Sequence, residues 1–321
     1  MMVRFRGLVG SCIYLAIAVA FGVVGSAGVA AADDPATTIR IMSFNMWLGG
    51  VAGGQSLEQS ATLVRASKAD VVGLQETEAK SGEGKPGIDN GARLAELLGW
   101  HFLDQGGRTA VISRFPITAS TPNKWGVQVA LPGGKNLYLF NAHFPASPYQ
   151  PYQLLKIPYG KGRFIETAEQ AILEADEARG APLRRMLSEL KSIDSEIPLF
   201  VTGDFNEPSH LDWIPAAAAA GACPLAVAWP TTSAVCDAGL LDSFRQVHPD
   251  PLKRNAFTWT PSTPPDDPKD RHDRIDFVFH SPHSTAKSAK IVGESTANAD
   301  IVIDPYPSDH RAVVVEFQLA K

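Results

Sequence analysis

A single-domain α/β fold is what this sequence predicts, and three observations carry that prediction. Short β-branched or apolar runs of strand length alternate with longer stretches of helical character. No low-complexity break and no internal repeat divides the region from about Thr37 to Lys321. Its length, near 290 residues, is large for one core but admissible for two packed sheets.

The strand candidates, in order, are Ile39–Phe44, Val71–Leu74, Thr109–Ile112, Asn136–Phe140, Pro198–Thr202, Arg274–His280 and Ala312–Leu319. Helices are expected at Leu57–Ser67, Gly91–Leu98, Ile165–Ala178 and Leu183–Ile193. Gly180-Ala181-Pro182 predicts a stop between the last two. Ala216–Ala220 reads as a structural helix run. Irregular backbone is expected over Gly82–Asn90, over the proline-rich Phe144–Gly162 and over Pro261–Arg271.

Residues 1–32 have the form of a secretory signal peptide: Arg4 and Arg6, an apolar run from about Leu8 to Val24, and Ala30-Ala31-Ala32. Cleavage is expected after Ala32, with an uncleaved membrane anchor as the rival. Residues 33–321 then form the folded domain. Removing Arg4 and Arg6 leaves 27 Lys/Arg against 34 Asp/Glu, a net charge of −7. That acidic balance argues against a protein that grips nucleic acid over a broad basic surface. An exported chain permits a Cys223–Cys236 disulfide across a short loop; two buried thiols are the alternative.

The polar residues fall in a regular place. Ile39–Phe44 ends at Asn45, Val71–Leu74 at Gln75-Glu76, Asn136–Phe140 at Asn141-Ala142-His143, and Pro198–Thr202 at Gly203-Asp204-Phe205-Asn206. Asp276 sits within Arg274-Ile275-Asp276, and Asp309-His310 precedes the last strand. Singly, each has a bland reading: an Asx turn, a surface acid, a backbone-bonded histidine. Together, side-by-side strands would gather them on one rim, where α/β proteins place their sites. Chemically they are hard oxygen donors plus two imidazoles, suited to magnesium, manganese or calcium. H-E-x-x-H, G-x-S-x-G and the phosphate-cradling P-loop pattern are absent. Carboxylates around a divalent cation, beside imidazoles, are what phosphate-ester hydrolysis requires.

Ser43-Phe44-Asn45, Leu74-Gln75-Glu76, Asn141-Ala142-His143, Gly203-Asp204-Phe205-Asn206, Arg274-Ile275-Asp276 and Ser308-Asp309-His310 resemble, in order, the signature of the endonuclease/exonuclease/phosphatase family. Ser113-Arg114-Phe115-Pro116-Ile117 is similar to another family segment. The resemblance spans residues 39–319. It implies a four-layer α/β sandwich, two mixed sheets face to face with helices outside. It implies metal ligation by Glu76 and Asn45, with Asp309 at or near a second ion. Asp204 would orient or deprotonate the attacking water, Asn206 would touch the phosphate, and His143 would stabilise or protonate phosphoryl oxygens. His310 would stand beside the scissile phosphate, held by Asp276.

Two departures stand out. Some nucleases of the family carry an acid where this chain has Trp47. An insertion of roughly 39 residues, 144–182, follows His143. Its aromatics (Phe144, Tyr149, Tyr152, Tyr159, Phe164) and bases (Lys156, Lys161, Arg163) are candidate substrate contacts, with a surface excursion as the alternative; Arg108 is a weaker candidate, with an ordinary surface arginine as its alternative. The expected activity is a secreted, metal-dependent phosphodiesterase or phosphatase acting on a small, lipid-linked or sugar-linked phosphate, with no stable protein partner. The alternatives are an extracellular nuclease, which needs a basic track, a sphingomyelinase-like enzyme, and a binding protein that has lost the chemistry. Residues 150–191 hold seven Lys/Arg against six Asp/Glu, so no such track shows there.

Overall fold

Side-chain alternation along the strands explains how the chain builds two sheets and where they meet. The structure is a computed structural model describing Met2, residues 38–79 and residues 87–320. The expected signal segment and most of the Gly82–Asn90 loop lie outside the described residues. The strands are β1 (Thr38–Asn45), β2 (Val71–Gln75), β3 (Glu78–Ala79), β4 (Ile88–Asp89), β5 (His101–Gly106), β6 (Thr109–Ser113), β7 (Ile117–Ser120) and β8 (Gly126–Ala130). They continue with β9 (Asn136–His143), β10 (Leu199–Asp204), β11 (Leu241–Asp242), β12 (Asp276–His280), β13 (Ser284–Gly293), β14 (Ile301–Val302) and β15 (Ala312–Leu319). The helices are α1 (Trp47–Gly50), α2 (Leu57–Ser67), α3 (Asn90–Leu98), α4 (Gln150–Leu155), α5 (Ala168–Leu190), α6 (Pro215–Ala219), α7 (Pro230–Asp237) and α8 (Ser243–Val247).

One mixed sheet has the order β14-β13-β15-β1-β2-β6-β5, the other β11-β12-β10-β9-β8-β7. Ile39, Ile41, Val71 and Val313 of the first sheet join Leu137, Leu139, Phe200 and Val278 of the second in the core between them. Their neighbours in sequence face outward. Met42, Phe44, Val72 and Leu74 pack with Leu63, Val64 and Leu94 of α2 and α3. Phe140, Val201, Phe277 and Phe279 pack with Leu183, Met186 and Val235 of α5 and α7. The result is the four-layer α/β/β/α sandwich.

The period of two also fixes what lies at the strand tips. Beyond the inward-facing apolar pairs, the next inward positions are Ser43, Gly73, Gln75, Asn141 and Thr202, all fully or almost fully enclosed. The last inward positions are Asn45, His143, Asp204 and Asp276. The gap between the sheets thus grades from apolar to small and polar to ionisable. Asn141 joins the sheets: its Nδ2 contacts Leu74 O at 2.9 Å and Ala110 O at 3.2 Å, and its Oδ1 accepts from Gln75 Nε2 at 2.6 Å. Gly73 makes room for this, because a Cβ there would lie 2.0 Å from Thr202 Oγ1.

Three expectations are corrected. The two helices foreseen around Pro182 are one, α5, opened by a capping box of Thr167 and Gln170. Ala171, Ala175, Arg179, Leu183 and Met186 are all buried, so one continuous packed stripe outweighs the backbone bond that Pro182 removes. The proline-rich stretch 144–162 contains a short helix, α4, with Pro151 in its first turn. Cys223 and Cys236 are free: Cys223 packs beside Trp213 and Trp229, Cys236 against a separate cluster around Val235 and Leu240.

The inter-sheet joint predicts two stability effects. Asn141→Leu leaves Gln75 and Thr202 facing an apolar group and is expected to cost about 3 kcal/mol in urea unfolding. Gly73→Ala forces the same joint apart, for about 1–3 kcal/mol. Losses below ~1 kcal/mol for both would show that the joint is not structural.

Candidate active site

His143, Asp204 and Asp276 stand side by side at the ends of β9, β10 and β12, in register with one another. Across the gap, Asn45 of β1 pairs in register with Gln75 of β2, and Glu76 follows immediately. The chain turns sharply after these strands. Glu76 (φ 54°), Asn206 (φ 50°), Trp47 (φ 53°) and Leu48 (φ 51°) all adopt left-handed backbone, a strained choice for such residues and one that clusters at functional sites.

Asp204 is the hub. Its Oδ2 accepts from Asn45 Nδ2 at 3.0 Å, and its Oδ1 from the Asn206 backbone N–H at 2.9 Å. His143 Nε2 lies 3.6 Å and His310 Nε2 3.8 Å from the same Oδ2. His143 Nε2 is also 3.9 Å from Glu76 Oε1, while Glu76 Oε2 accepts from Leu48 N and Arg108 Nη2. Asp276 Oδ2 meets His310 Nδ1 at 2.9 Å, and the Asp276 backbone N–H donates to Thr258 Oγ1 at 3.0 Å. Burial alone would lower the His310 pKa, but the Asp276 and Asp204 carboxylates outweigh it and hold it up at about 10. Burial pushes the Asp309 carboxyl up to about 6; His310 opposes this, and Glu76 adds to it.

A cavity of about 280 Å³ opens over this group. Glu76, Asp204, Asn206, Asp309 and His310 are on its wall, as are Tyr149 and Tyr159. Asn45 and Asp276 lie behind the wall, touching Asp204 and His310. His143 borders a neighbouring groove with Gln105 and Trp125.

The basic candidates of the insertion are corrected. Lys156 donates to Ile165 O at 3.0 Å and pairs with Glu166, Arg163 Nε pairs with Glu174 at 2.6 Å, and Lys161 is exposed. None of the three is on the cavity wall, because partners within the insertion itself draw Lys156 and Arg163 elsewhere. Arg108 is tied to Glu76. Phe144 is a core residue beside Phe205, and Phe164 is about half exposed. Residues that the sequence did not single out are Trp259, whose ring lies 4.9 Å from that of His310, and Thr258 behind Asp276. Phe257-Thr258-Trp259 carries no strand-tip signal, so nothing in the sequence marked it.

The sequence model of the Endonuclease/Exonuclease/phosphatase family matches residues 42–310. This chain belongs to that family. An uncharacterized protein of Caenorhabditis elegans is 24% identical over 236 residues, covering 69% of this chain and 70% of that protein. Among solved structures, an endonuclease/exonuclease/phosphatase from Beutenbergia cavernae DSM 12333 matches with a TM-score of 0.55 and 22% identity, over 88% of this chain and 72% of its own. The 3′ phosphatase NExo from Neisseria, bound to product DNA hairpin, matches with a TM-score of 0.52 and 20% identity, over 87% and 99%. At these identities the structural matches establish the shared fold.

The family fold gathers a donor set suited to a hard cation. Among the described residues, Asp204, Asp276 and His310 place ligand atoms within 4.8 Å of one another. Asp276 Oδ1 is buried without a partner, and Glu76 and Asp309 turn carboxylates to the cavity. An oxygen-rich set of this kind suits a divalent cation. Asp276 spends Oδ2 on His310, while Glu76, Asp204 and Asp309 line the cavity.

Asp276→Asn removes one of the charges holding His310 protonated. The His310 pKa, followed by NMR titration in the presence of chelator, is expected to fall by about 1–3 units. An unchanged value would assign the shift to Asp204 alone.

Proposed function

We propose that this family member is a divalent-metal-dependent phosphoesterase that hydrolyses a phosphate ester by in-line attack of water. The observation that carries this reading is the convergence of Glu76, Asp204 and His310 on one cavity, with Asp276 behind the imidazole. A bound magnesium or manganese ion, held by Glu76 with Asp309 and the Asn45–Asp204 pair nearby, would offset charge on the phosphoryl oxygens. Asp204 orients the attacking water and accepts its proton through the oxygen facing His143 and His310. His310, kept protonated and oriented by Asp276, donates from Nε2 to a phosphoryl oxygen. Asn206 gives one amide hydrogen to Phe144 O at 3.1 Å and keeps the other for the phosphate. His143 supplies a second imidazole to the same oxygens.

The preferred substrate is a small, lipid-linked or sugar-linked ester. No lysine or arginine is on the cavity wall, and the volume is small. A nuclease is the second reading, favoured by the DNA product held in the similar Neisseria structure. We also propose export: the basic, apolar and Ala-x-Ala pattern of residues 1–32 supports it. N-terminal sequencing of protein recovered outside the cytoplasm should begin at Asp33; retention of Met1 would reject cleavage.

Turnover is tested on an aryl phosphodiester, an aryl phosphomonoester, plasmid DNA, RNA and sphingomyelin. Hydrolysis of the small esters should vanish with chelator and return with magnesium or manganese. Glu76→Ala, Asp204→Ala and His310→Ala should each lower kcat by about 10³-fold or more while thermal unfolding stays cooperative. Near-normal kcat in any of these variants would remove that residue's role, and rapid DNA or RNA cleavage would make the nuclease reading correct.

A further inference from the structure

The cavity lining joins two kinds of side chain. Glu76, Asp204 and Asp309 are acidic, whereas five others are aromatic: Tyr149, Tyr152 and Tyr159 from the insertion, Trp47 at the start of α1 and Trp259 from the loop before β12. The phenol groups of Tyr149 and Tyr152 are directed to residues off the wall. Tyr149 donates to Asp273 at 2.9 Å and Tyr152 to Asp270, which also accepts from Trp259 Nε1 at 3.2 Å. What these side chains leave to the cavity is ring carbon. Successive rings meet edge to face, Tyr149 and Tyr152 at 4.9 Å and 86°, Tyr152 and Tyr159 at 5.5 Å and 84°. They form a corner, not a parallel-walled slot. Trp47 is held in left-handed backbone with its ring against Gly53, where a Cβ would come within 2.8 Å of the indole.

An anion is a poor occupant for such a corner. It would lose water, face the negative side of aromatic rings and find no lysine or arginine among the lining residues. A volume of about 280 Å³ falls at the low end of ligand pockets, enough for a phosphoryl group and one ring. We propose that the corner binds an uncharged ring carried by the phosphate ester, packed through its C–H face or aryl face against Trp47 and Tyr159. The shared chemistry is contact with an aromatic surface, and a sugar or an aryl alcohol supplies it equally. The inference rests on the phosphoesterase reading for the position of the phosphate.

The test is calorimetric binding in magnesium of phenyl phosphate, glucose 1-phosphate, phosphoglycolate and inorganic phosphate to the wild type, Tyr159→Ala and Trp47→Ala. Tyr159 is 42% exposed, so its truncation leaves the core intact. At least one ring ester is expected to bind about tenfold tighter than inorganic phosphate, the ratio shrinking to about threefold or less in each variant. Phenyl phosphate carrying the preference would identify an aryl source, and glucose 1-phosphate a sugar. A wild-type ratio near one, a ratio kept in both variants, or phosphoglycolate binding as tightly as the ring esters would overturn the proposal. Ring preference without turnover of any ester would uphold the corner and remove the phosphoesterase reading. Turnover without ring preference would do the reverse.

Discussion

Asn141 sits between the two sheets with its amide facing Leu74 O, Ala110 O and Gln105 Oε1 on one side and Gln75 Nε2 and Thr202 Oγ1 on the other. Apolar faces alone would let two sheets slide, because hydrophobic contact has little direction. A buried amide with satisfied partners has direction, and leaving any of those partners bare carries a penalty. The joint therefore sets the spacing and register of strands that do not pair with one another. Asn45 on one sheet reaches Asp204 on the other at 3.0 Å only because the residues just below are locked. The site inherits its geometry from this polar layer.

Above the joint the electrostatics are of a different kind. Asp204, Asp276, Asp309 and Glu76 are gathered near two histidines, the first two buried and the others lining the cavity. Asp204 and Asp276 are 1% exposed. Like charges gathered in one place repel, and the fold answers in several ways. His310 is held protonated between Asp204 and Asp276, Arg108 touches Glu76, and Asp309 is pushed up to about 6. The remaining negative field is what a divalent cation would neutralise.

The sandwich was legible because β1, β2, β9, β10 and β15 are central strands built on apolar or β-branched runs. The site was legible because it sits where those runs end. What escaped is peripheral or set by tertiary contacts. β5 is an edge strand with much of its length exposed, and β13 is rich in Ser, Ala and Lys, so neither shows a clean apolar period. Both are drawn into the sheet by a neighbour of stronger pattern, β6 and β15. Pro182 gave a true local signal that packing overrode. Trp259 escaped for another reason: its place against His310 depends on a loop crossing far from it in sequence, and no period encodes that.

The insertion shows how a loop becomes part of a rigid wall. Proline-rich sequence resists long helices, but it does not prevent a short one anchored at several points. Arg179 of α5, fully buried, donates to Gln150 Oε1 at 2.6 Å and to Pro148 O at 2.8 Å, fixing the start of α4. Tyr149 and Tyr152 then bind Asp273 and Asp270, on the segment that leads into β12. That segment also carries Arg274, forked between Asp212 and Asp242, and runs on to Asp276 behind His310. The aromatic wall and the carboxylate that orients His310 are thus supported by one stretch of backbone. Arg274 lies between them on the chain, so damage there should disturb substrate fit and the state of His310 together, whereas damage to Tyr159 should disturb fit alone.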